Sequence, residues 1–119
     1  MKIKIDIVID ADRETVWRSF DNPEDMSMRQ PMIETVTERR EPDFIAGTYE
    51  SARSKGVIVN HFETIGDRQT RWIMYANHTL KGIYRLFGIF FAGSIRKRSE
   101  EVMNNFKLYT ETVQAERAQ

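Results

Sequence analysis

The chain has 119 residues, enough for one domain around one core and too few for a large empty cavity as well. Its 40% apolar and 30% charged residues are ordinary globular values and exclude a disordered chain, while 18 Lys+Arg against 18 Asp+Glu leave no positive field for nucleic acid and no net charge to hold copies apart. The absence of cysteine excludes a disulfide framework, a thiolate nucleophile and a Cys-based metal site, and it fits a cytoplasmic location.

Ile3, Ile5, Ile7 and Ile9 alternate with Lys4, Asp6 and Val8, the period of a half-buried strand. The same alternation leaves no apolar run of the kind a signal peptide needs. Asp10 or Asp12 caps a helix that carries Val16, Trp17 and Phe20 on one stripe. Asn22-Pro23 breaks it, and Pro23 opens a second short helix, Pro23 to Met28, which Gln30-Pro31 ends. Ile33 to Glu41 reads as a polar strand, Glu41-Pro42-Asp43 as a turn, and Phe44 to Arg53 as a strand weakened by Gly47. Val57 to Ile65 and Thr70 to Leu80 follow as strands joined by a hairpin turn at Gly66-Asp67-Arg68-Gln69.

On the Thr70–Leu80 strand, Trp72, Met74, Ala76, His78 and Leu80 share one face, and Ile73, Tyr75, Asn77 and Thr79 the other. The Trp72 face carries the larger apolar area and is assigned inward. Ile83 to Phe91 is one short apolar helix or coil, and Ala92-Gly93-Ser94 is expected to kink the chain. An amphipathic helix then runs from Ser94 to about Ala115, with Ile95, Val102, Phe106, Tyr109 and Val113 at helical spacing. The longest apolar cluster, Leu86 to Ala92, is too short to span a bilayer, so no stable membrane insertion is expected.

The opening strand with Val16-Trp17, the Asp21-to-Met26 turn, Glu34-Thr35-Val36-Thr37 and Gly47-Thr48-Tyr49-Glu50 come in a particular order. Phe62-Glu63, Thr70-Arg71-Trp72 and the Gly82-to-Gly93 lead into the last helix complete it. In that order they resemble the START-like (Bet v 1-like) helix-grip superfamily, which includes polyketide cyclase/dehydrase and lipid-transport proteins. The resemblance implies a single α+β domain over residues 1–119: an antiparallel sheet of about five strands wrapped on a long C-terminal helix, with two small helices after the first strand. It also implies an apolar ligand held between sheet and helix. Members normally have seven strands; here Arg29-Gln30-Pro31 runs almost directly into the Ile33 strand, so strands two and three of the pattern are missing. That loss exposes the Ile33–Glu41 strand as an edge, either blunted by Glu34, Glu38, Arg39, Arg40 and Glu41 or paired with its two-fold mate.

Candidate ligand-binding residues are Tyr49, Phe62, Trp72, Met74, His78 and Phe106, set against plain core packing. His78, at an inward position usually apolar or aromatic in similar sequences, is the one weak catalytic candidate; a satisfied structural histidine is the plainer reading. Neither His61 nor His78 sits at metal-ligand spacing, and no metal or cofactor is expected. The triplet Arg96-Lys97-Arg98 reads as a solvated helix face, with anion binding as the alternative. The run Leu86–Phe91 reads as a buried cover over the open end of the sheet, with a lid, a membrane-contacting patch or a dimer contact as alternatives.

Three functions remain open on the fold. The first is binding of an apolar or amphipathic small molecule without catalysis. The second is a polyketide cyclase/dehydrase-like enzyme in which His78 or Tyr49 orients or deprotonates the substrate. The third is an oligomeric interaction module without a pocket. A homodimer through the Ile33–Glu41 edge and the Leu86–Phe91 segment is expected.

Overall fold

The computed structural model describes residues 2–21 and 35–117. The expected second helix, Pro23 to Met28, and the first two residues of the expected edge strand, Ile33 and Glu34, lie outside them. Five antiparallel strands form one sheet: β1 (Lys2–Ile9), β2 (Thr35–Arg40), β3 (Phe44–Glu50), β4 (Ser54–Gly66) and β5 (Gln69–Leu80), in the spatial order β1-β5-β4-β3-β2. The first strand lies beside the last and β2 is the far edge, as the sequence implies. Among the described residues, two α-helices, α1 (Arg13–Asp21) and α2 (Gly88–Arg117), join the sheet in an α+β helix-grip architecture, with a 3-10 segment, Gly82–Phe87, leading into α2.

Register explains why the inward face is apolar. Ile3, Ile5, Ile7 and Ile9 stand opposite Ala76, Met74, Trp72 and Thr70, and Phe62 stands opposite Trp72. Cross-strand partners share a face, so the alternation of β1 and that of β5 add to one surface. Trp72, Phe62, Phe20 and Phe106 meet on it as edge-to-face or tilted rings, with Trp72 and Phe106 centroids 5.1 Å apart and Phe20 5.8 Å from Trp72. Trp17 closes the group 6.2 Å from Phe62. The indole N–H of Trp72 donates to Asn60 Oδ1 at 2.8 Å, and Asn60 Nδ2 donates to the Ile45 carbonyl at 3.4 Å, so the buried indole and carboxamide are both hydrogen-bonded.

The same end is latched by hydrogen bonds. Asp12 Oδ1 accepts from the Thr15 amide at 2.8 Å, so Asp12 is the cap of α1. Burial works against the Asp12 carboxylate, yet hydrogen bonds from Thr15 hold it below the ordinary carboxylate range. Glu111 and Gln114 on the last turns of α2 accept from the backbone amides of Asp10 and Asp12 at 2.8 and 2.9 Å, and Arg117 donates to Thr15 Oγ1 at 2.6 Å. The C-terminal end of α2 is thereby tied to the start of α1, more than ninety residues away in sequence.

Several boundaries and faces differ from the sequence expectation. The last helix begins at Gly88, not Ser94, and continues without a break through Ala92-Gly93-Ser94. Gly93 has open space around it; a glycine there costs helix propensity, about 1 kcal/mol, but does not end a helix already supported on both sides. The buried stripe of α2 is Met103, Phe106 and Thr110, one residue away from the expected Val102 and Tyr109, which are half-buried at its margins. The β3 strand ends at Glu50 rather than Arg53, because Ser51 Oγ accepts from the amides of Arg53 and Ser54 and folds residues 51–53 into a turn. Finally, the 3-10 segment is no buried cover: Ile83 and Leu86 are 65% and 83% exposed, and Phe90 beyond it is 78% exposed.

Truncating Trp72 or Phe106 to Ala should cost roughly 3–5 kcal/mol, since each ring is buried against the others and no neighbour can swing into its place. Urea titration checks this; a loss below about 1 kcal/mol would place the helix elsewhere.

Candidate functional site

Side-chain size falls along the inward face of the β4–β5 pair. The cross-strand pairs run Phe62–Trp72, Asn60–Met74, Ile58–Ala76, Gly56–His78 and Ser54–Leu80. The helix above runs the same way, from Phe106 and Met103 through Val102 to Ser99, Ile95 and Ser94. Large rings fill the Trp72 end, and small residues leave a gap at the His78 end. That gap is a cleft of about 410 Å³ between β4, β5, the β3–β4 turn and the N-terminal half of α2.

Its apolar walls are Ile58, Met74, Ala76, Leu80, Ile95 and Val102. A polar cluster forms at one side. Tyr49, Gly56 and His78 stand in one cross-strand row, Tyr49 opposite Gly56 and Gly56 opposite His78. Because Gly56 has no side chain, the Tyr49 and His78 rings meet across it with centroids 5.2 Å apart, and the Tyr49 hydroxyl is hydrogen-bonded to His78 Nδ1. The Ser54 hydroxyl lies 3.2 Å from the Tyr49 oxygen. A neutral phenol has one proton; given to Nδ1, it leaves the Tyr49 oxygen to accept from Ser54. A methyl group on residue 56 would stand 2.7 Å from the Asn77 carbonyl oxygen, 2.7 Å from Tyr49 Cε1 and 3.1 Å from His78 Nδ1, closer than real contacts allow.

Burial pushes the Tyr49 phenol above its ordinary value, against the Ser54 hydrogen bond, which works the other way. Burial pushes His78 below its ordinary value of 6.5. Both shifts favour the uncharged forms, so at neutral pH the pair is phenol and imidazole rather than phenolate and imidazolium.

Of the residues singled out from the sequence, Tyr49, Met74 and His78 line the cleft together. Phe62, Trp72 and Phe106 do not line it; they fill the packed end of the grip. His61 faces the opposite side of the sheet, in ring contact with Phe44 and Tyr75. Arg98, from the triplet read as a solvated face, reaches the cleft with Arg53. The sequence reading missed Gly56, Ser54 and Arg53. Register is the signal for them, but a plain count outward from Gly66–Gln69 would set Gly56 opposite Thr79; the register shift between Thr64 and Gly66 is what brings it opposite His78. Among the described residues no group of His, Cys, Asp and Glu gathers where it could hold a metal ion, and no helix is long and apolar enough to cross a membrane.

No family model matches the sequence, and no curated protein matches it. Solved structures do match in shape. A protein of Arthrobacter aurescens is 13% identical with a TM-score of 0.62, the match covering 97% of this chain and 86% of that one. A protein of Thermus thermophilus is 11% identical with a TM-score of 0.60, over 95% and 99% of the two chains. A Thalictrum norcoclaurine synthase point mutant, solved in complex with a transition-state analogue, is 8% identical with a TM-score of 0.56, over 100% and 96%. At such identities the likeness is one of fold: the chain has the START-like (Bet v 1-like) helix-grip fold.

Two outcomes test the geometry of the polar row. Gly56→Ala should separate Tyr49 from His78, read as a shift of the His78 ring signals in NMR, whereas an unchanged spectrum would mean that the rings do not meet over residue 56. Because folding depresses the His78 pKa, the unfolded chain takes up its proton first as pH falls. The folded state should therefore lose stability from about pH 6.5 downward through the lower folded value. The His78→Gln variant should lack that part of the loss in urea titrations between pH 8 and pH 5.

Proposed function

We propose that this protein binds an apolar or amphipathic small molecule in the cleft between β5 and α2. The observation that carries the reading is the cleft itself: about 410 Å³, within the range of small-molecule sites, with aliphatic walls and a few convergent polar groups on one side. The norcoclaurine synthase of the same fold, solved with a transition-state analogue, supports it, since that fold admits a small organic molecule. Tyr49, Met74 and His78 are the ligand contacts expected from the sequence that lie here; Trp72, Phe62 and Phe106 act on the ligand only by closing the far end.

One observation favours the enzyme reading. The Tyr49 hydroxyl and His78 Nδ1 are hydrogen-bonded inside a cleft, an arrangement that can orient or polarise a substrate carbonyl. The opposed shifts of the two groups weaken it: the phenol holds its proton more firmly and the imidazole is a poorer base than usual. Binding without turnover is the reading that the site favours.

We also infer that the chain pairs with a second copy through β2. All six residues of β2 are exposed, and Ile83, Leu86 and Phe90 expose further apolar surface. Glu38 and Arg40 stand on the same, outer face of the sheet. An antiparallel register centred on Arg39 sets each Glu38 against the Arg40 of the other copy while each Arg39 stays over its own Trp17 ring. Such a contact should bury at least about 1,200 Å² in total.

Two measurements decide these readings. Thermal melts with medium-chain fatty acids, their alcohols and bicyclic aromatic compounds should show at least one stabilising class, by roughly 2.7 kcal/mol at a hundredfold excess over Kd. Ala76→Trp, which puts an indole into the gap, should abolish that response; no response from any class would reject the binding reading. Sedimentation should give twice the 14.0 kDa chain mass, and Val36→Pro, which removes a ladder donor, should halve it. A 14.0 kDa species for the unaltered chain at micromolar concentration would reject the pairing.

A further inference from the structure

We propose that the cleft selects an anionic amphiphile, specifically a small apolar molecule bearing a carboxylate, whose headgroup is held by Arg98 and Arg53. This rests on the reading of the cleft as a ligand site and goes beyond it by naming the charge of the ligand. The chain as a whole balances 18 acidic against 18 basic residues, yet among the described residues the cleft is lined by two arginines and by no aspartate or glutamate. Sequence balance therefore does not extend to this surface.

No carboxylate among the described residues is paired with either arginine. Arg98 makes no ion pair or hydrogen bond among the described residues, while its helix neighbour Arg96 is paired with Glu100 at 3.0 Å. The Arg53 guanidinium lies over the Tyr84 ring at 5.7 Å, a contact that leaves its donors available. The nearby Glu50 is already held by Lys81 at 3.0 Å, on which its lowered pKa depends. Near the two cations stand the serine hydroxyls of Ser94 and Ser99 from α2. These can donate to an anion without adding charge.

The physical preference follows from desolvation. A molecule that fills the apolar part of the cleft displaces water from its rim. A neutral headgroup would leave two guanidinium groups partly stripped of water and unmatched, and a cationic one would add repulsion. A carboxylate fits the planar fork of a guanidinium with two parallel hydrogen bonds, and each charge-assisted bond is stronger than its neutral counterpart. The tail of such a molecule meets Ile58, Met74, Ala76 and Val102.

Isothermal titration of the intact chain with octanoate, 1-octanol and octyl phosphate, three probes with one tail and different heads, tests the assignment. Octanoate should bind about tenfold more tightly than octanol, the effect of one net charge-assisted hydrogen bond. That ratio should shrink as salt is raised. In the Arg53→Gln/Arg98→Gln double variant it should fall towards one, with the melting temperature little changed because both side chains are exposed. Equal binding of octanoate and octanol, or a ratio unchanged in the double variant, would overturn the charge selection while leaving the cleft as a binding site. Tighter binding of octyl phosphate than of octanoate would overturn the carboxylate assignment. Binding of none of the three would reject the ligand-site reading and this inference with it.

Discussion

The aromatic contact of Trp72 with Phe106, Phe62 and Phe20 is the interaction on which the rest of the structure depends. It fixes the distance between sheet and helix at one end, where large rings and the Trp72–Asn60 hydrogen bond leave no gap. A helix is stiff over several turns, so once α2 is held at Phe106 and latched at Glu111, Gln114 and Arg117 its N-terminal half must project over the remainder of the sheet at much the same height. Small residues are set among the larger ones facing each other there: Ala76, Gly56 and Ser54 on the sheet, Ser94 and Ser99 on the helix. They cannot fill the space that the rings prop open. The cleft is thus a consequence of a size gradient along two strands and one helix, and the packed end and the open end are two aspects of one arrangement.

That view assigns different duties to residues that look alike in sequence. Trp72, Phe62 and Phe106 are as aromatic as any ligand-pocket lining, but they act as a spacer. Tyr49 and His78 are no larger, but they stand where the spacer's gap opens, and Gly56 lets them touch. Replacing the smallest residue of the row would disturb the polar cluster more surely than a conservative change at either ring, since an added methyl would meet the Asn77 backbone carbonyl, which cannot swing aside, as well as the Tyr49 and His78 rings.

Much of the fold was legible in the chain. The isoleucine alternation of β1, the Trp72 face of β5, the hairpin at Gly66 and the Asp12 cap each rest on local chemistry that a sequence displays directly. The failures share a cause, which is that the deciding fact was not local. The run from Ile83 to Phe91 is apolar on every side, so periodicity gives it neither a helical phase nor a direction, and nothing in it announces that Leu86 and Phe90 stay exposed. In α2, Val102 and Tyr109 compete with Met103 and Thr110 for the core, and the winning stripe buries a threonine, whose hydroxyl finds no partner among the described residues. Gly56 reads as a weak point of a strand until the register sets it between Tyr49 and His78. Arg98 belongs to a basic triplet on an amphipathic helix, and only the height of that helix over the cleft separates it from Arg96.

Charge and protonation at the cleft argue in one direction. Catalysis by proton transfer asks for a group whose pKa lies near the working pH, and burial moves both members of the Tyr49–His78 pair away from it. Passing the Tyr49 proton to His78 would create a phenolate and an imidazolium together, and burial opposes each of them. What remains is a neutral, directional hydrogen-bond pair beside two cations, with aliphatic walls leading away from them. An arrangement of that kind discriminates: the walls reward apolar area of any shape, the cations reward a negative head, and the neutral pair rewards a hydrogen-bonding group at one fixed position. The same low polarity that depresses the basicity of His78 strengthens the attraction of Arg53 and Arg98 for an anion, because water competes less at the rim of an apolar cleft than in bulk solvent. On the binding reading proposed above, the features that would make the site a poor acid–base catalyst are the ones that would make it selective.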